Sequence, residues 1–134
     1  MTESELQIQV ADYLRLQYPE VLFHSDFGSG IKLTMGQAAK QKRQNGGRRA
    51  WPDMFIAEPK WEMNSNHDYH GLFIELKKNG TRLQKKNGEW ASEHIAEQAE
   101  VLERLEFRGY KATFAVGFGD AKQIIDDYLG GKNL

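Results

Sequence analysis

The chain has 134 residues, enough for one domain and tight for two. It is 40% hydrophobic, 28% charged and 11% aromatic, which excludes a wholly disordered or fibrous chain. Its 18 basic and 19 acidic residues sum to −1, which excludes a uniformly basic binder but not a local basic patch.

In chain order, residues 3–18 read as an amphipathic helix. Leu6, Val10, Tyr13 and Leu14 recur at helical spacing, with Thr2 or Ser4 placed to cap it and Pro19 to end it. Val21 to His24 reads as a short strand and Asp26 to Ile31 as turn chemistry. Residues 34–50 are polar, basic and rich in Gln and Gly, so a flexible loop is expected, with at most one helical turn near Gln37–Lys42. Asp53 to Ala57 reads as a strand after Trp51-Pro52, and Gly71 to Lys77 as the next. The two are expected to pair as an antiparallel hairpin with residues 58–70 elaborating its tip. Residues 90–108 carry Ala91, Ile95, Leu102 and Leu105 on one stripe and read as the longest helix, stopped by Gly109. Ala112 to Val116 reads as a strand, and Asp120 as the cap of a last helix over 121–129, terminated by Gly130-Gly131. The order αβββαβα implies one α/β domain over residues 1–134, with a central mixed sheet flanked by helices. No internal repeat is present.

Cysteine is absent, which excludes disulfides and thiolate-ligated metal and leans towards a reducing compartment. No apolar run approaches the roughly 18 residues of a membrane span, and the opening MTESELQIQ is too acidic for a signal peptide, so no membrane partner and a cytoplasmic location are expected.

The small net charge hides segregation. Lys32, Lys40, Lys42, Arg43, Arg48 and Arg49 fall in a stretch without acids, and so do Lys77, Lys78, Arg82, Lys85 and Lys86. These two stretches hold 11 of the 18 basic residues, while Glu89 to Glu106 carries six glutamates against one arginine. One face can therefore be positive in a neutral chain.

The strand Leu72–Lys77 is apolar enough to be central, yet alternation puts Phe73, Glu75 and Lys77 on one face. A mutual Glu75–Lys77 salt bridge would be the structural explanation. Asp53 argues for more. In a hairpin it reaches the level of Glu75, and two carboxylates beside one lysine leave negative charge uncompensated. A hard divalent cation such as Mg²⁺ or Mn²⁺ relieves that repulsion, and the backbone carbonyl of Leu76 falls near the same place. Carboxylates, metal and lysine together suit phosphodiester hydrolysis. Other motifs are weaker. Gly28-Ser29-Gly30 and Gly117-Phe118-Gly119 read as turns rather than nucleotide loops, and His67-x-x-His70 lacks a second ligand pair for zinc.

Pro52-Asp53, then 21 residues, then Glu75-Leu76-Lys77 resembles the PD-(D/E)xK nuclease superfamily. Glu3-x-x-x-Gln7 ahead of Tyr13-Leu14, Gly47 before Trp51-Pro52-Asp53, and Gln98 before Leu105 and Gly109-Tyr110 narrow the likeness to VRR-NUC, the virus-type replication-repair nucleases, over nearly the whole chain. The resemblance implies a restriction-endonuclease-like core, a Mg²⁺- or Mn²⁺-dependent endodeoxyribonuclease, and DNA that is branched, flapped or a four-way (Holliday) junction, in replication, repair or recombination. It implies Asp53, Glu75 and Glu3 as metal carboxylates, Lys77 as the catalytic lysine and Gln98 at the edge of the active site, with Glu5 a rival to Glu3. Gln98 also interrupts the apolar stripe where periodicity asks for a hydrophobe. A stand-alone domain points by resemblance to a phage or bacterial source, and a homodimer is a candidate state because paired incisions need two active sites. The basic residues Lys32, Lys40, Lys42, Arg43, Arg48, Arg49, Lys78, Arg82, Lys85 and Lys86 would then hold DNA phosphates, with Trp51, Trp61 and Trp90 available to stack on exposed bases. The alternative is a non-catalytic DNA-binding module that keeps the nuclease fold.

Overall fold

The computed structural model describes residues 1–26, 33–47, 50–61 and 68–130. Among these residues, four strands form one sheet in the order β1-β2-β3-β4: β1 (Phe23–Ser25), β2 (Met54–Ile56), β3 (Leu72–Lys77) and β4 (Lys111–Val116). β1–β2 and β2–β3 are antiparallel, while β3 and β4 run parallel. The expected hairpin is present, and a Lys60–Tyr69 bridge prolongs it beyond the ladder.

β3 is central, and all six of its residues are buried because both faces of the sheet are covered. Leu72, Ile74 and Leu76 face α1 (Glu3–Gln17) and α4 (Gly117–Leu129), packing with Leu6, Val10, Leu14, Ile125 and Leu129. Phe73, on the opposite face, packs with Val101, Leu102 and Leu105 of α3 (Glu93–Phe107). Fully burying each aliphatic side chain of this kind contributes about 1.5–3 kcal/mol. A polar group placed at Ile74, which is 0% exposed, would therefore break the larger cluster first.

The helix ends follow local chemistry. Thr2 caps α1 through a capping box with Glu5, so Thr2 rather than Ser4 is the cap. Ser92 caps α3, which begins at Glu93, and Ala91 instead bonds to Leu83 in the preceding loop. Gly109 adopts φ 96° just past α3, as a helix stop requires, and His70 lies where any Cβ would stand. α4 starts at Gly117, earlier than expected. Asp120 is therefore not its cap residue; it lies within the first turn and accepts the Val116 N–H at 2.9 Å.

The main correction concerns residues 34–50. Met35–Gln44 form a ten-residue helix, α2, so the order is αβαββαβα rather than αβββαβα. Thr34 and Gln37 form a capping box, and Gly46 and Gly47 take φ of 67° and 83° after its end. Apart from Gly36, the residues between these stops are Met, Ala, Gln, Lys and Arg up to Gln44, good helix formers without a β-branched residue. α2 buries no residue, so it carries no apolar period by which a sequence reading would find it.

Candidate functional site

The register between β2 and β3 builds the site. Met54 lies opposite Ile74, so Asp53, one residue before the ladder, comes level with Glu75. The Asp53 N–H donates to Glu75 Oε2 at 3.2 Å, and the Leu76 N–H donates to Asp53 Oδ2 at 2.8 Å. β2 has ended at this level, so the Asp53 side chain supplies the acceptor that a strand would otherwise provide. In an extended strand a residue's N–H and C=O point to the same side, so the Leu76 carbonyl faces the Asp53 end of β2.

Gln98 on α3 reaches across the other side of Glu75. Its Nε2 donates to Glu75 Oε1 at 2.5 Å, while its own Oε1 is buried without a hydrogen-bond partner among the described residues. Glu75, Lys77 and Gln98 are each buried. Among the described residues, no Glu75–Lys77 ion pair forms within 4.0 Å, so the simple strand-end salt bridge is not what holds Glu75.

The electrostatics are unfavourable for two charged carboxylates. Burial, reinforced by the charge of Asp53, pushes the Glu75 carboxyl up to about 9 against the pull of Lys77. Burial also raises Asp53, and the charge of Glu3 adds to it, against the Leu76 N–H and Lys77. Glu3, Asp53, Glu75 and Lys77 all line a cleft of about 740 Å³ together with Gln98. Glu5, the rival to Glu3, is exposed and committed to the Thr2 capping box.

Among the described residues, no three Asp, Glu or His side chains are gathered into a ready-made metal cage. Mg²⁺ does not need one, because it binds through one or two carboxylates and keeps several waters. Two adjacent, desolvated carboxylates, Asp53 and Glu75, offer the oxygen donors that fit a hard divalent cation.

The basic residues divide. Lys42 on α2 lines the cleft, and Lys40 and Arg43 line a neighbouring groove on the same helix. Lys78, Arg82, Lys85 and Lys86 are exposed on the segment after β3, outside the cleft wall. Lys32, Arg48 and Arg49 lie outside the described residues, as do Gly28-Ser29-Gly30 and His67. His70 packs edge-on against Tyr110. Trp51 lines the cleft, Trp61 is exposed, and Trp90 leans on Phe114.

Two titratable cleft residues escaped the sequence reading. Asp26 follows β1, and its N–H donates to the Asp53 carbonyl at 2.9 Å. Buried Gln7 holds this end of β1 through Ser25 Oγ at 2.7 Å and the Asp26 carbonyl at 2.6 Å. Pairing β1 with β2 would have placed Asp26 beside Asp53, but the turn-like DFGSGI obscured it. His94 lies one helical turn before Gln98, and no pattern in the sequence marks it.

No family model and no curated protein matches the chain. A solved structure described as a "VRR_NUC domain protein" superposes on it with a TM-score of 0.68 at 28% identity, covering 96% of this chain and 88% of that one. Among the described residues, no helix is long and apolar enough to cross a membrane.

Proposed function

Because the chain is a VRR-NUC domain with a restriction-endonuclease-like α/β fold, we propose that it is a divalent-metal-dependent DNA endonuclease acting as one nuclease domain over residues 1–134. The observation that carries this reading is the meeting of Asp53, Glu75 and Lys77 in one cleft, with Gln98 bonded to Glu75. Asp53, Glu75 and the Leu76 carbonyl would hold Mg²⁺ or Mn²⁺, with Glu3 completing the shell directly or through water. When bound, such an ion polarises the scissile phosphate and lowers the pKa of its water.

The chain's own residues do the rest. Lys77 places a buried ammonium beside the reacting phosphate, where it stabilises the negative charge that develops and orients the attacking water. Gln98 fixes one oxygen of Glu75 and leaves the carboxylate in a single orientation. Lys42, with Lys40 and Arg43 further along α2, holds the phosphate backbone over the cleft. Lys32, Arg48, Arg49, Lys78, Arg82, Lys85 and Lys86 would extend that contact.

We take the substrate to be branched DNA, a flap or four-way junction met in replication, repair or recombination. On a four-way junction a homodimer would supply the second active site needed for paired cuts. The test is a panel of duplex, nicked, flap and four-way DNA with Mg²⁺ or Mn²⁺. Cleavage should need the metal and disappear in Asp53→Ala and Lys77→Ala. Persistent cutting in both variants would reject the site, and metal-independent binding without cutting on any substrate would reject the enzyme in favour of a DNA-binding module.

A further inference from the structure

A second hollow of about 170 Å³ adjoins the cleft, lined by Trp51, Val101, Arg104, Leu105 and Arg108. Trp51 belongs to the wall of both cavities, so they are neighbours at its side chain. The indole is anchored edge-on against Phe73, with ring centroids 5.5 Å apart, yet it remains 43% exposed. Val101 and Leu105 give the hollow an apolar floor.

The charges beside it are unusual for their helix. α3 carries glutamates along much of its length, but residues 101, 104, 105 and 108 share one stripe, and its two charged members are arginines. Arg108 Nη1 donates to the Arg104 carbonyl at 3.0 Å, which lays that side chain along the helix end. Among the described residues, neither guanidinium makes an ion pair within 4.0 Å, so both are available to an anion. Arg104 is six residues beyond Gln98, about 9 Å along the helix axis. That distance corresponds to two or three nucleotides of a strand that passes Glu75.

We propose that this hollow is a subsite for one unpaired nucleotide of the DNA strand in the cleft, with its base on Trp51 and its flanking phosphates on Arg104 and Arg108. The proposal rests on the nuclease reading above. A paired base turns its flat faces to its neighbours and cannot reach the indole, whereas an unpaired base can. The apolar floor adds nothing for a phosphate backbone but suits a base. The site therefore distinguishes a strand with an unpaired position near the scissile bond from continuous duplex.

The experiment uses a flap DNA carrying 2-aminopurine at its unpaired junction nucleotide, titrated with the full chain in Ca²⁺ to populate the carboxylate site. Binding should quench the probe by stacking. Trp51→Ala should remove the quenching and weaken flap binding about 5- to 100-fold, and Trp51→Phe should restore part of both. Because Trp51 packs on Phe73, the exposed pair Arg104→Gln/Arg108→Gln gives an independent readout. Losing two phosphate contacts should lower the salt slope of log K by about 1.4. Unchanged quenching in Trp51→Ala together with an unchanged slope in the arginine variant would overturn the subsite while leaving the nuclease intact. Failure of the wild-type chain to bind or cut any DNA would overturn both.

Discussion

Gln98 donates to Glu75 over 2.5 Å, tying α3 to the central strand of the sheet at the point where the carboxylates meet. Glu75 thereby has one oxygen on Gln98 and the other on the Asp53 N–H. A carboxylate held at both oxygens has little freedom to turn away from a ligand, which is the condition for a preorganised site.

Gln98→Leu should keep the volume and remove the bond. A hydrogen bond to a charged group is worth about 1.5–3 kcal/mol, so the single-turnover rate should fall by roughly 10- to 100-fold. The metal concentration for half-maximal rate should rise, while KM for DNA should change little. A purely structural role would lower the melting temperature and leave the metal dependence where it was.

Metal should stabilise the fold. Asp53 and Glu75 repel each other in a desolvated pocket, and a bound cation removes that penalty only in the folded state. At a hundredfold excess over Kd the gain is about 2.7 kcal/mol, or roughly 5–10 °C in Tm. Thermal melts in Mg²⁺ and in chelator should show this rise for wild type. Asp53→Asn and Glu75→Gln should fold but lose it.

A separate network governs acid stability. Asp126 Oδ1 accepts from Tyr13 at 2.5 Å and from Tyr18 at 2.7 Å, and Oδ2 from Lys122 at 2.8 Å, linking α1 to α4. Burial alone would raise this carboxyl, but the hydrogen bonds from Lys122, Tyr13 and Tyr18 prevail and hold it below its ordinary value. A lowered carboxyl stabilises the fold above its unfolded pKa of about 4, and the contribution disappears as pH falls through the lower folded value. Asp126→Ala should therefore melt roughly 3–6 °C below wild type at pH 7. The gap should close below about pH 4.

The exposed helix α2 offers a different separation. Thr34→Ala removes a cap worth about 1 kcal/mol. Because α2 buries nothing, the global melting temperature should stay within about 1 °C. Lys42 and the other α2 cations would be presented less often, so KM for DNA should rise about threefold to fivefold. A large drop in Tm would mean that α2 belongs to the core.

The readable parts of this chain were those where a local pattern and a tertiary role coincide. Leu72 to Lys77 announced a central strand because its apolar alternation is broken only by Glu75 and Lys77, the residues that face the cleft. Gln98 stood out as a polar residue on an apolar stripe, and it is buried against Glu75. α2 was hidden for the opposite reason: its helix rests on capping and propensity, with no buried face to impose a period. Asp26, His94 and the hollow under Trp51 arise from β1–β2 register and from the placement of α3 on the sheet, relationships between distant segments that no single window contains. Sequence likewise could not separate Glu3 from Glu5. In the structure the capping box engages Glu5 at the helix start, while Glu3 lines the cleft.

The most direct measurement is the single-turnover rate of flap cleavage by wild type and Lys77→Met at equal Mg²⁺, with DNA binding followed in parallel. Met keeps most of the buried side chain's length and removes its ammonium. If the Lys77 ammonium stabilises the transition state, the rate should fall by about a hundredfold to a thousandfold while DNA is still bound. A Lys77→Met rate within about threefold of wild type, a difference of less than about 1 kcal/mol, would contradict the assigned centre.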